Sequence, residues 1–116
     1  MNQPTLFDEE LKTVETERLI LYALGEFQTR GKALANRELP LDRLRGAFRR
    51  AAEHFKAEEV SDVILAQELE FLGAKIVTVP SFVAKHPFRV TVQPELAEHA
   101  LEFYRQITSQ NGESKS

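Results

Sequence analysis

Three histidines, His54, His86 and His99, are the side chains best suited to acid–base or metal chemistry in this 116-residue chain. None stands at a metal-ligating spacing from another His, and Cys is absent. A zinc site, a thiol nucleophile and a disulfide are therefore not expected. Glu53–His54 and Glu98–His99 are sequence neighbours, and neighbours on a helix point apart, so neither pair reads as a catalytic dyad. The five Gly are isolated, which leaves no glycine-rich phosphate loop. Carboxylates gather only along helix faces. The expectation is a non-enzymatic protein without a cofactor, and a catalytic site assembled in three dimensions is the alternative.

Charge is the more informative chemistry. The net value is -3, but the signs are segregated along the chain. Residues 1–17 hold one Lys and five acids, and residues 18–56 hold nine Lys or Arg and four acids. Residues 57–73 hold five acids and no base, and residues 74–92 hold three bases and no acid. A partner meets a face rather than an average, so these blocks point to binding surfaces. Arg45, Arg49 and Lys56 fall in one helical row, with Arg43 and Arg50 in another. Lys85, His86 and Arg89 add positive charge further on. These eight residues are the candidate nucleic-acid contacts, and a solvated basic face is the competing reading. On the acidic side, Glu59, Asp62 and Glu70 are candidate protein contacts.

The elements that must position these groups can be read from periodicity. Helix 1 is expected from Thr13 or Thr16 to Arg30, with a wide apolar face (Leu19, Ile20, Ala23, Leu24, Phe27) and Gly31 as its stop. Residues 31–39 read either as a further helical turn or as a loop with a short extended piece before Pro40. Helix 2 is expected over Pro40–Phe55, because Leu41, Leu44, Phe48, Ala51, Ala52 and Phe55 share one face. No Gly or Pro lies between Ala47 and Leu72. The apolar stripe nevertheless changes side, which requires a break near Ala57–Ser61 with Ser61 or Asp62 as a cap. Helix 3, Val60–Leu72, has two apolar stripes, Val60/Val63/Ile64/Phe71 and Leu65/Leu69/Leu72, so it reads as wedged between neighbours. Its exposed strip is expected to be Glu59, Asp62, Ala66 and Glu70. Two β-branched runs, Lys75–Val79 and Phe88–Val92, form a hairpin joined by Pro80–Pro87. Helix 4 follows from Pro94 to about Ser109. Residues 1–12 and 109–116 are expected to be tails, the second disordered, flanking a single domain over 13–108. The longest apolar run, Leu19–Leu24, is far short of the roughly 20 residues of a membrane span, so a cytoplasmic protein without membrane contact is expected.

The order of three helices and a hairpin, with LAQELEFLGAKIVTV at the junction, resembles the winged helix-turn-helix superfamily. Leu65, Leu69, Leu72 and Gly73 match the end of that family's third helix, and Pro80–Pro87 matches its wing tip. The resemblance covers about residues 16–92. It implies an α+β, mainly helical fold: a winged-helix-like three-helix core, a β-hairpin wing and a C-terminal helix. Helix 2 is longer than usual for the family, and the family's short first strand is not evident. The resemblance also implies double-stranded DNA as partner, transcription regulation as role and a homodimer through helices 1 and 4. Helix 3 carries no Lys or Arg, and only Gln67 could read a base. Helix 2 and the wing would thus have to grip backbone phosphates, with weak sequence specificity. The alternative is a protein-interaction adaptor on the same fold. Here acidic helix 3 would act together with Gln3-Pro4-Thr5-Leu6-Phe7, a pentad similar to the bacterial sliding-clamp-binding peptide through Gln3, Leu6 and Phe7. The same pentad also reads as a tail whose Leu6 and Phe7 staple the next helix.

Overall fold

The computed structural model describes residues 6–80, 82 and 88–113, and side chains over 15–80, 82 and 88–109. The chain is α+β and mainly helical, with a small three-stranded antiparallel sheet. Its order is α1 (Leu6–Thr29), β1 (Glu38–Pro40), a 3-10 turn (Leu41–Leu44), α2 (Arg45–Phe55), α3 (Asp62–Phe71), β2 (Lys75–Thr78), β3 (Phe88–Thr91) and α4 (Pro94–Glu113). The molecule is a slab only 22 Å thick. That is two layers of secondary structure, so an outer element is covered on one side and open on the other.

Helix α1 is the exception. Every residue from Leu19 to Phe27 is buried, as an apolar run covering all sides of a helix requires. Neighbours α2 and α4 supply most of the cover. Helix α4 runs antiparallel to α1 and approaches it very closely at Gly25, where an added Cβ would lie 2.4 Å from Tyr104 Cβ and 2.5 Å from the Ala100 carbonyl oxygen. Gln28 Nε2 donates across the same seam to the Ala97 carbonyl at 2.8 Å. Glu26 is the one buried charged residue among those described. Its carboxylate accepts from Arg50 Nε at 2.7 Å and has Arg30 at 3.7 Å.

Helix α2 buries Ala47, Phe48, Ala51 and Ala52, the face its periodicity marks. It ends at Lys56, which takes the left-handed conformation (φ 55). The Ala57 N–H then closes back on the Ala52 carbonyl at 2.8 Å. This is the expected break between two helices with different buried sides. Ser61 caps α3, its hydroxyl accepting from the Ile64 N–H at 3.4 Å. Leaving α3, Gly73 adopts φ 110, a conformation that favours glycine, and turns the chain into β2.

The sheet has β3 in the centre, paired with β1 on one side and β2 on the other. Leu39, Val90 and Ile76 lie in register and face the core. Arg89 is in register with Pro40 and Val77, and Thr91 with Glu38 and Lys75. Directly paired residues share a face, so these six form the outer surface.

Several expectations need correcting. A first strand exists, β1, and Pro40 ends it rather than opening a helix. Helix 2 is accordingly shorter than expected, with a 3-10 turn ahead of it. Proline cannot donate to a sheet ladder from its nitrogen but is tolerated on an edge strand, which is where Pro40 lies. Helix α1 begins at Leu6 and α4 runs to Glu113, so both enter stretches read as tails. Val92 leaves β3 and bridges to Ala35 instead, while the Asn36 N–H donates to the Val92 carbonyl at 2.8 Å.

Candidate interaction surface

The basic residues of α2 do not form an open row. Arg45 donates to Asp62 at 2.7 Å and stands 3.3 Å from Asp42. Arg49 lies 3.9 Å from Glu59, and Arg50 is committed to Glu26. Asp62 at the start of α3 and Glu59 just before it thus meet the basic face of α2 within one chain. Lys56 is exposed at the α2 terminus. Arg43 is exposed in the 3-10 turn and Arg89 half-exposed on β3. These three, with Lys75, have no ion pair among the described residues. Lys85 and His86 lie outside the described residues, as does Gln3. Leu6 and Phe7 begin α1, and their side chains are not among those described.

Helix α3 is not wedged. Leu65, Ala66 and Leu69 are buried against the rest of the fold. The second stripe faces outward: Val63 is 54%, Ile64 49% and Phe71 78% exposed. Ala66 was expected on the outer strip and instead lies inside, while Glu59 precedes the helix in the connection. Glu70 is exposed beside Phe71. The open face of α3 is therefore apolar, with Gln67 in its middle and carboxylates at its margins. Val77 on β2 and Phe82 beyond it are also exposed, at 37% and 89%. Large apolar side chains left in water on one helix face mark a contact surface better than scattered single residues do.

Two cavities open beside this face. One, of about 460 Å³, lies between α2 and the start of α3 and includes Arg45, Arg49, Glu59 and Asp62. The other, of about 690 Å³, lies between α1 and α3. Glu68 lines the second. Its Oε2 is buried without a hydrogen-bond partner among the described residues. Burial, and then the nearby Glu17 carboxylate, push its pKa upward.

His54 stacks on Tyr22 (ring centroids 4.4 Å apart), and Tyr22 meets Phe55 and Tyr104 edge-on. Burial foremost, then Tyr104 and Glu26, raises the Tyr22 pKa. This arrangement is an aromatic seam joining α1, α2 and α4. Among the described residues no group of three or more His, Asp or Glu could hold a metal ion. Likewise, no helix there is long and apolar enough to cross a membrane. Over Leu19–Phe27, α1 is covered by the chain's own elements.

Sequence reasoning named Val63, Ile64 and Phe71 as one stripe but placed it inside. It missed Glu68 as a group of interest. The available signal was the pair of apolar stripes on a single short helix, only one of which a two-layer slab can cover. Comparison with protein-family models, curated proteins and solved structures finds no match for the chain.

Proposed function

We propose that this chain is a non-enzymatic winged-helix-like module whose third helix docks a protein partner. The winged-helix reading is supported by β1, which lies between α1 and α2 in sequence and pairs with β3 beside the hairpin. The docking reading is carried by one observation: α3 exposes Val63, Ile64 and Phe71. Nucleic-acid affinity comes from Lys and Arg at phosphates, and this face has neither. The partner surface is apolar with a basic rim, complementary to Glu59 and Glu70. Burying what is still exposed of the three side chains, about half of Val63 and Ile64 and about three-quarters of Phe71, would contribute about 4 kcal/mol, from roughly 1.5–3 kcal/mol for full burial of each.

The test is a nuclease-treated pull-down with the wild type and a Val63→Ser/Phe71→Ser variant. A discrete protein recovered by the wild type and lost by the variant is expected. Recovery that is equal for both overturns the reading.

A second reading is backbone contact with double-stranded DNA, favoured by Arg43, Lys75 and Arg89, which have no ion pair among the described residues. It requires salt-dependent duplex binding that Arg43→Glu/Arg89→Glu abolishes, measured by fluorescence anisotropy.

A further inference from the structure

The cavity between α1 and α3 has an apolar floor that includes Leu19, Val60 and Ile64; its polar lining is Thr16, Ser61 and Gln67 with four charged residues, Glu15, Glu58, Glu59 and Glu68, all of them acidic. No cation lines it among the described residues. Glu59 has Arg49 at 3.9 Å, whereas Glu15, Glu58 and Glu68 have no ion pair among the described residues. Glu68 Oε2 is out of solvent and still lacks a donor. A buried acceptor without a donor is costly and is normally satisfied in a finished assembly. Ile64 lines the groove and also lies on the exposed α3 face, so the two surfaces are continuous.

Charge decides the occupant. A second copy docked groove to groove would set one acidic lining against another, and residues 1–14, which precede the groove wall, carry three acids and one Lys. Both would be repelled. A cationic segment with apolar residues on one side satisfies the floor and the carboxylates together. We propose that this groove binds a basic amphipathic segment of a partner protein, with apolar side chains on Leu19, Val60 and Ile64 and a Lys or Arg on Glu68. The proposal rests on the protein-docking reading above and specifies the partner's chemistry. An amphipathic helix laid in an apolar groove is a recurrent recognition mode. The carboxylates set its polarity, and the unpaired Glu68 sets its register.

The test uses the full chain and short labelled peptides read by fluorescence anisotropy. A Leu/Lys amphipathic peptide is the probe, with Leu/Glu and Ser/Lys peptides as controls. Saturable binding of the Leu/Lys peptide alone is expected, with amide shift changes at Leu19, Val60 and Ile64 by NMR. Glu58→Gln/Glu68→Gln should weaken it at least tenfold, while Arg43→Glu leaves it unchanged. Glu58 is exposed, Glu68 is partly buried without an ion pair among the described residues, and Gln keeps the shape of Glu, so the fold is not threatened and the variant is informative. Absence of binding, equal binding of the Ser/Lys peptide, or an unaffected Glu58→Gln/Glu68→Gln variant overturns the proposal. Self-association in sedimentation velocity that Ile64→Asp abolishes also overturns it, because it makes a second copy the occupant. If Val63→Ser/Phe71→Ser loses its captured partner while Glu58→Gln/Glu68→Gln retains it, the groove proposal falls and the docking reading stands. Should Val63→Ser/Phe71→Ser lose nothing, the docking reading itself falls.

Discussion

Replacing Gly25 by Ala tests how the helical layer is built, because local and tertiary effects have opposite signs there. In an isolated helix the change is favourable by about 1 kcal/mol. In the fold, the new Cβ would lie 2.4 Å from Tyr104 Cβ and 2.5 Å from the Ala100 carbonyl oxygen. Neither neighbour is the mobile end of a side chain. Non-bonded carbons rest at roughly 3.5–4.0 Å, so α4 must move away by about 1 Å. Overpacking of this kind costs roughly 1–3 kcal/mol. The shift also strains the Gln28–Ala97 hydrogen bond and the Tyr22–Tyr104 edge contact, each worth about 1 kcal/mol. With those contacts partly lost and the helix-propensity gain subtracted, the net expectation is a loss of about 1–3 kcal/mol. Gly46→Ala is the control. It lies in α2, and its added Cβ would meet only the mobile Arg50 guanidinium, at 3.4 Å. It should gain up to about 1 kcal/mol. Urea unfolding followed by circular dichroism measures both. If Gly25→Ala is as stable as Gly46→Ala, the close α1–α4 contact is wrong.

Arg50→Met leaves the Glu26 carboxylate, 12% exposed, with only the more distant Arg30. A loss of about 2 kcal/mol is expected, and adding Glu26→Gln should recover most of it in the same unfolding assay. Glu68→Gln should act oppositely. Burial raises the Glu68 pKa above its ordinary value, so the folded state holds a proton that the unfolded state releases, and stability falls as pH rises through that window. The variant should therefore melt higher than the wild type at neutral pH, and the gap should close on acidification below the ordinary Glu pKa; a gap independent of pH would contradict this. Val63→Ser/Phe71→Ser should change stability by no more than about 0.5 kcal/mol per site, because both side chains are largely in water. A large loss would mean that the face is covered in the isolated protein.

Local features of this fold are legible in the sequence, and non-local ones are not. The face Phe48, Ala51, Ala52 is written at helical spacing, and the change of apolar side after Phe55 marks the break that Lys56 makes. Ser61 and Gly73 announce a cap and a stop through their own chemistry. Strand β1 is three residues long and ends in Pro40, too short for any period to show; only its pairing with β3 makes it a strand. The arginines show the same limit more sharply. Arg45 and Asp62 are each visible as charges on separate helices, but their meeting depends on how α2 and α3 cross. Seen in sequence, the two basic rows offer themselves to phosphate; folded, Arg45, Arg49 and Arg50 are engaged internally. The two stripes of α3 are equally apolar in the sequence, and the two-layer thickness of the fold decides which one stays in water.

The most direct measurement places a photo-crosslinking phenylalanine analogue at Phe71 and, separately, at Arg43 in the full chain within its native cells. The account predicts a discrete, nuclease-resistant protein adduct from position 71 and none of the same size from position 43. Nucleic-acid adducts from position 71, or no protein adduct there at all, would contradict it.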